Sequence, residues 1–183
     1  MDDIEAMNDT PPNTISPIRP TDDDALGTAK ELLGTARTAS LAFIESDTGR
    51  PSLSRIAVMR AASGDMVSMV SELSAHTRSL QTNPASALLL GEPSGKGDPL
   101  NQPRLTLHCD AEFLTRDTPD EFAALQADYI SALPKAKLYA GFLDFRFVVF
   151  KAQSASLNGG FGKAYELSRE DILSTLPNAP NAP

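Results

Sequence analysis

One stretch of the sequence brings together side chains that bind anions. It runs from residue 51 to residue 84 and contains Arg55, Ser71, His76, Thr77 and Arg78. Arginine presents a planar fork of N–H donors to phosphate oxygens, and hydroxyl groups and helix N–H groups can complete the shell. These residue types predict a phosphate-binding site.

The same stretch has the pattern of two strands followed by a helix. Apolar and polar residues alternate over positions 53 to 59 and again over 66 to 71, and AASGD separates the two runs as a turn. Ser74 is a good N-cap for a helix that ends before Asn83-Pro84. Since the first N–H groups of a helix have no intrahelical partner, the start of this helix can hold an anion.

A purely structural role for these residues fits the pattern equally well. In this alternative, Arg55 pairs with a carboxylate such as Glu72, and Ser74 and Thr77 cap an ordinary surface helix. Many helices begin in this way, so residue types alone leave both interpretations open.

The remaining chain predicts a mainly β protein with inserted helices. An apolar stripe that begins after Asp22 predicts a first helix, and alternation at 38 to 44 and 104 to 113 predicts strands with one buried face. The apolar run from 87 to 90 predicts a strand buried on both faces. About six strands joined mostly by turns predict a small antiparallel barrel.

Three segments follow from these patterns. Residues 1 to 20, with four prolines, predict a flexible N-terminal arm, and residues 21 to 165 form the barrel domain. Residues 166 to 183 predict a short helix capped by Ser168 and a disordered tail.

Composition excludes several classes of protein. The formal charge of -8 and the pI near 4.7 argue against a nucleic-acid partner bound through phosphate neutralisation. No apolar run approaches the roughly 20 residues that span a bilayer, so no membrane partner is expected. One cysteine allows no intrachain disulfide, and the acidic start lacks the apolar core of a signal peptide; we therefore expect a cytoplasmic protein.

The histidines and the cysteine give no catalytic pattern. His76 and His108 are 32 positions apart, so no metal-ligand spacing exists and no metal site is predicted. His108 falls on the polar face of its strand, whereas Cys109 falls on the apolar face and is expected to be a buried small side chain. Catalytic residues stay unknown at this stage.

Ordered motifs along the chain resemble those of a known family. RIAVMR at 55 to 60, VS at 70 and 71, and HTR at 76 to 78 resemble the flavin mononucleotide (FMN) site of split-barrel proteins related to pyridoxamine 5'-phosphate oxidase. Further motifs resemble the haem-utilisation branch of that superfamily: ARTASLAF, SELSAHTRSL, GDPLNQPRLTLHCDAEF, LYAGFLDFRF and GGFGKA.

The resemblance implies a six-stranded antiparallel split β-barrel that forms a homodimer, with FMN in clefts at the subunit interface. It assigns cofactor-binding roles to ten residues. The residues expected at the phosphate are Arg55, Ser71, Thr77 and Arg78, with His76 beside it. The residues expected to offer backbone groups to the isoalloxazine edge are Ile56, Ala57 and Val70. Arg60 is expected near the ribityl or phosphate end, and Arg104 of the second subunit is expected over the ring.

The implied function is an FMN-dependent oxidoreductase acting on an unknown small substrate. The chain has no tryptophan, which the oxidase's C-terminal motif requires, so pyridoxamine-phosphate oxidase activity itself is not expected. One alternative is a haem-binding or haem-degrading protein on the same dimer, although no histidine follows His108 to match the C-terminal iron ligand of such relatives. Another alternative is an interaction module without a ligand.

Overall fold

Nine strands form one hydrogen-bonded sheet in the computed structural model, which describes residues 18–114 and 119–177. In chain order these are β1 (Ile18–Arg19), β2 (Thr38–Ile44), β3 (Pro51–Ala57), β4 (Met59–Arg60), β5 (Met66–Ser71), β6 (Ala85–Leu90), β7 (Arg104–Leu114), β8 (Phe145–Asn158) and β9 (Ala164–Ser168). The strand order is β1-β9-β8-β7-β6-β2-β3, and β5 pairs off this path with β4 and β8. Only β1 and β9 pair in parallel among these described strands.

The mainly β architecture with inserted helices is confirmed, but the count of six antiparallel strands is not. Two of the additional strands, β1 and β4, contain two residues each. A pattern of alternation needs about four residues to be visible, so neither could be recognised from sequence. The 14 residues of β8 pair with β5 in the first half of the strand and with β9 in the second half.

Within the described residues, four α-helices connect or follow the strands: α1 (Asp23–Thr35), α2 (Ala75–Thr82), α3 (Pro119–Ala132) and α4 (Arg169–Ser174). Asp22 caps α1 by accepting from the backbone N–H of Ala25 at 2.8 Å. Ser168 caps α4, as predicted, and Asp171 completes a capping box with it. Two 3-10 helices, Pro99–Asn101 and Pro134–Leu138, lie in the longer connections.

Two hydrophobic clusters cover opposite faces of β5. Met66 and Val70 belong to the larger cluster inside the curved sheet, whereas Val67 and Met69 face a smaller cluster against α3. Tyr129 of α3 is fully buried in the smaller cluster. This double burial fixes β5, and with it the segment that leads into α2.

The prediction that residues 87 to 90 are buried on both faces is wrong. In β6, Leu88 and Leu90 are buried, but Leu89 is 41% exposed. Leu89 lies on the outer face of the sheet together with the exposed Ala85. The apolar run therefore predicted the strand correctly, but it did not predict that the outer face of the strand is exposed.

The predicted boundaries lie partly outside the described residues. Residues 1–17 of the expected arm and 178–183 of the expected tail are outside them, while Ile18 and Arg19 pair with β9. The expected boundary after residue 165 falls inside β9. Among the helices described, none has the length and apolar content needed to cross a lipid bilayer.

Candidate functional site

The edges of β3 and β5 leave a gap in the described sheet. β3 ends the strand order, so its edge opposite β2 pairs with no described strand. β5 pairs with β8 along one edge and with the short β4 only at Met66 and Val67 along the other. Unpaired strand edges present backbone N–H and C=O groups to a ligand. Ile56 and Val70 lie on these edges, and so does Ala57, whose carbonyl oxygen accepts from the hydroxyl of Tyr129 at 3.1 Å.

His76 links β3 to the first turn of α2. Its Nδ1 lies 3.2 Å from the hydroxyl oxygen of Ser54, the neighbour of Arg55. Its ring packs edge-on against the ring of Phe43, with 6.1 Å between the two ring centroids. Burial lowers the pKa of His76, so the neutral imidazole is favoured. The contact brings the strand that carries Arg55 to the start of the helix that carries Thr77 and Arg78.

The start of α2 lacks a side-chain cap. Ser74 occupies the N-cap position, as predicted, but its side chain makes no capping hydrogen bond. The N–H of Thr77 donates to the carbonyl oxygen of Ser74 at 3.2 Å, so the N–H groups of Ala75 and His76 are the first-turn donors that an external acceptor can use. With eight residues, α2 is long enough for its dipole to favour an anion there.

The two hydroxyl groups predicted at the phosphate have partners within the chain. Thr77 is fully buried, and its hydroxyl donates to the carbonyl oxygen of Ser71 at 2.6 Å. The hydroxyl of Ser71 donates to Oδ2 of Asp144 at 2.7 Å and accepts from the backbone N–H of Leu73 at 3.2 Å. Thr77 shapes the turn into α2, and Ser71 connects that turn to the residue before β8.

Arg55 lies on the outer face of β3. Its side chain is 70% exposed and approaches Glu92 with 3.6 Å between Nη2 and Oε1. Arg55 therefore pairs with a carboxylate, as the structural alternative expected, but the example given there was wrong, because Glu72 pairs with Arg146 of β8. Glu72 follows β5, and the pairing of β5 with β8 places it beside Arg146 rather than beside the outer face of β3.

Arg78 lines a small cavity beside the first turn of α2. Its Nη1 donates to the carbonyl oxygen of Leu73 at 2.8 Å, which leaves the other guanidinium N–H groups for a ligand. The cavity has a volume of about 120 Å³. Its lining residues are Glu45, Ser46, Asp47, Thr48, Ala75, Arg78 and Ser79.

The other two predicted arginines have contacts of their own. Arg60 donates to carbonyl oxygens of Gly64, Ile172 and Thr175, and burial lowers its pKa. Arg104 donates to the carbonyl oxygen of Leu100 at 3.0 Å and so fixes the loop before β7. Their roles at a cofactor stay predictions.

His108 lies on the exposed face of β7, as predicted. Its Nε2 is 3.3 Å from the hydroxyl oxygen of Ser156, which in turn is 3.3 Å from Oε1 of Glu166. Cys109 is buried, and burial is the main cause that raises the pKa of its thiol to about 12. Within the described ranges, no three His, Cys, Asp or Glu side chains are grouped to hold a metal ion.

Sequence reasoning missed Asp144 at this site. The residue lies 73 positions from Ser71, and only the pairing of Ser71 with Phe145 in the sheet brings the two side chains together. The segment LDFRF was noted as part of a resemblance, but no local pattern pointed to a partner for Ser71.

Solved structures share this architecture. One, which bears no functional description, is 35% identical to this chain, with a TM-score of 0.75, and the match covers 84% of this chain and 98% of that one. A protein of the pyridoxinephosphate oxidase family from Clostridium acetobutylicum has the same fold, with a TM-score of 0.64, 14% identity and coverage of 83% and 99%. These neighbours match the resemblance of the sequence motifs to split-barrel proteins related to pyridoxamine 5'-phosphate oxidase.

Haem-binding and haem-utilisation proteins are also among the structural neighbours. A haem-binding protein from Mycobacterium smegmatis is 29% identical, with a TM-score of 0.73, over 86% of this chain. The chain spans 62% of the length of that relative. No family model and no curated protein matches the sequence.

Proposed function

We propose that this split-barrel protein binds FMN and uses it in a redox reaction on a small substrate. The observation that carries the proposal is the 3.2 Å contact between His76 and Ser54, because it joins the strand of Arg55 to the uncapped start of α2. Arg78 of α2 supplies a guanidinium group there, and Arg55, which points to the opposite face of β3 from Ser54, is proposed to reach the phosphate from that strand. Such a set of donors fits the FMN phosphate.

The predicted roles divide between the side chains and the backbone. Arg55 can exchange its exposed contact with Glu92 for a phosphate, since a surface ion pair at 3.6 Å contributes little to stability. Arg78 and the N–H groups of α2 are proposed to complete the phosphate shell. Ile56, Ala57 and Val70 are proposed to meet the isoalloxazine edge from the gap between β3 and β5.

The flavin supplies the hydride chemistry when it is bound, and the protein binds it, orients its ring and excludes water. We further propose a cytoplasmic homodimer with the six principal strands arranged as a split barrel. In this arrangement a second subunit covers the ring through Arg104 or its loop. The outer sheet face offers apolar side chains for such a contact, since Leu53 of β3 is 72% exposed and Leu89 of β6, on the other side of β2, is 41% exposed.

Titration with FMN tests the proposal. Flavin fluorescence and the melting temperature of the protein are followed as FMN is added; quenching with a rise in melting temperature supports binding. Arg55→Ala and Arg78→Ala are each expected to weaken binding. Arg50→Ala is the matched control, because Arg50 is an exposed arginine in the turn before β3. A colourless protein that FMN does not stabilise and that does not quench flavin fluorescence contradicts the proposal.

Haem binding is the second candidate, and the position of His108 favours it. Nε2 of His108 contacts the hydroxyl of Ser156, and this hydroxyl contacts Glu166. When Nε2 carries the ring hydrogen and donates it to Ser156, Nδ1 is the nitrogen that can ligate iron. Ligating histidines commonly have such a partner on the second nitrogen. The sheet places Ala87 of β6 directly beside His108, which leaves room for a flat ring.

A haem titration decides this candidate. A Soret band that is lost in His108→Ala but kept in His76→Ala supports haem ligation by His108. The absence of a Soret band in the parent protein contradicts haem binding. If neither FMN nor haem binds, the interaction module without a ligand is the remaining interpretation.

A further inference from the structure

We infer that Asp144 determines how strongly the site accepts a phosphate dianion, an inference that rests on the proposed FMN function. Asp144 accepts the hydroxyl hydrogen of Ser71 at 2.7 Å, immediately before the turn that begins α2. A serine hydroxyl has one hydrogen to donate. A phosphate and Asp144 therefore compete for the same donor.

The backbone keeps Asp144 at this position. The N–H of Glu72, next to Ser71, donates to the carbonyl oxygen of Asp144 at 2.8 Å. The adjoining pairing of Ser71 with Phe145 continues this connection into the sheet. The carboxylate is thus held beside Ser71 and is not the end of a freely moving loop.

The charge of Asp144 is not neutralised by a neighbouring cation. Glu72 has Arg146 as its ion-pair partner, whereas Asp144 forms no ion pair with any lysine or arginine of the described ranges. A half-buried carboxylate without a cation repels a second anion more strongly than a paired one does. Asp144 therefore disfavours a ligand phosphate in two ways, through the shared donor and through its charge.

A neutral residue of the same shape removes the charge and weakens the competition for the shared donor, because an amide oxygen is a weaker acceptor than a carboxylate. In Asp144→Asn the amide oxygen can still accept from Ser71, so the turn is kept, but the negative charge is gone. We expect FMN to bind about tenfold more tightly to this variant than to the parent. Riboflavin has the same ring and no phosphate, so its affinity is expected to stay within twofold of that of the parent.

The experiment measures dissociation constants for FMN and riboflavin by fluorescence quenching, with melting temperatures to confirm folding. Asp110→Asn is the matched control, because it removes one negative charge on the exposed face of β7, away from Ser71. In a Ser71→Ala background, the gain from Asp144→Asn is expected to shrink, because the shared donor is absent.

The outcomes separate the two proposals. Equal FMN affinity in the parent and in Asp144→Asn overturns the inference and leaves FMN binding in place. FMN binding by Asp144→Asn alone supports the inference and contradicts FMN as the cofactor of the parent protein. No binding by either overturns both. An equal gain for riboflavin, or for Asp110→Asn, also overturns the inference, because the effect is then not specific to the phosphate or to this carboxylate.

Discussion

Arg60 holds the last turn of α4 through the carbonyl oxygen of Ile172, to which its Nη2 donates at 2.9 Å. The same nitrogen lies 2.9 Å from the hydroxyl of Thr175, and Nε donates to the carbonyl oxygen of Gly64 at 3.2 Å. The last carbonyl groups of a helix have no intrahelical partner, and a cation there is favoured by the helix dipole. Arg60 thus fastens the C-terminal helix to the turn between β4 and β5.

This arrangement predicts that Arg60→Lys affects stability more than ligand binding. Lysine lacks the planar fork and cannot reach three oxygens in these directions, so the free energy of unfolding is expected to fall by about 1–3 kcal/mol. Urea denaturation measures that change, and an FMN titration is expected to give a dissociation constant within twofold of the parent. Weakened FMN binding at unchanged stability would instead assign Arg60 to the cofactor.

Asp65 is the centre of a second polar connection. It is 1% exposed and accepts from Nζ of Lys151 at 3.2 Å and from Nη1 of Arg169 at 3.1 Å. Asp65→Asn removes the charge that both cations face, and we expect the free energy of unfolding to fall by about 2–3 kcal/mol. Urea denaturation again measures it. Asp110→Asn, on an exposed face, is the control and is expected to change stability by no more than about 0.5 kcal/mol.

Local patterns predicted the elements well where burial alternates along one strand. β2 was predicted over residues 38 to 44 and is Thr38–Ile44 in the structure. In β7 the predicted dry face is buried at Leu105, Leu107 and Cys109, whereas His108 is exposed. The cap at Ser168 was also predicted, because a serine before a short helical segment is a local signal, but its capping box with Asp171 was not.

Contacts between distant residues could not be predicted in this way. The partner of Arg55 is Glu92 and the partner of Ser71 is Asp144, and both depend on which strands pair and in which register. The prediction that β6 is buried on both faces was wrong for a related reason, because an apolar run does not show which face of the sheet stays uncovered. The predicted set of anion ligands therefore stays a prediction, whereas the partners of each side chain could be found only from the fold.

Cys109 is expected to resist thiol reagents in the native protein. It is 4% exposed, and burial together with the nearby carboxylates of Asp65 and Asp110 raises the pKa of its thiol to about 12. The thiolate, which is the reactive form, is therefore scarce at pH 8. Labelling with a chromogenic disulfide reagent is expected to be slow in buffer and complete in urea.

A Lys96→Cys variant adds a thiol in the exposed loop before β7 and is expected to label at once at that position. Rapid labelling of the parent would contradict the buried placement of Cys109.

His76 predicts a loss of stability on mild acidification. Burial lowers its pKa in the folded state, so between that value and the ordinary value of 6.5 the unfolded chain binds more protons than the folded protein. The free energy of unfolding therefore rises with pH in this window and falls as the pH drops below about 6.5.

Urea midpoints at pH 7.5 and pH 5.5 are expected to differ less in His76→Gln than in the parent, because glutamine does not titrate. His108→Gln removes the other histidine, on the exposed face of β7, and is expected to keep the parent's difference. If His76→Gln and the parent lose the same stability, the buried imidazole at the start of α2 is not the group that responds to pH.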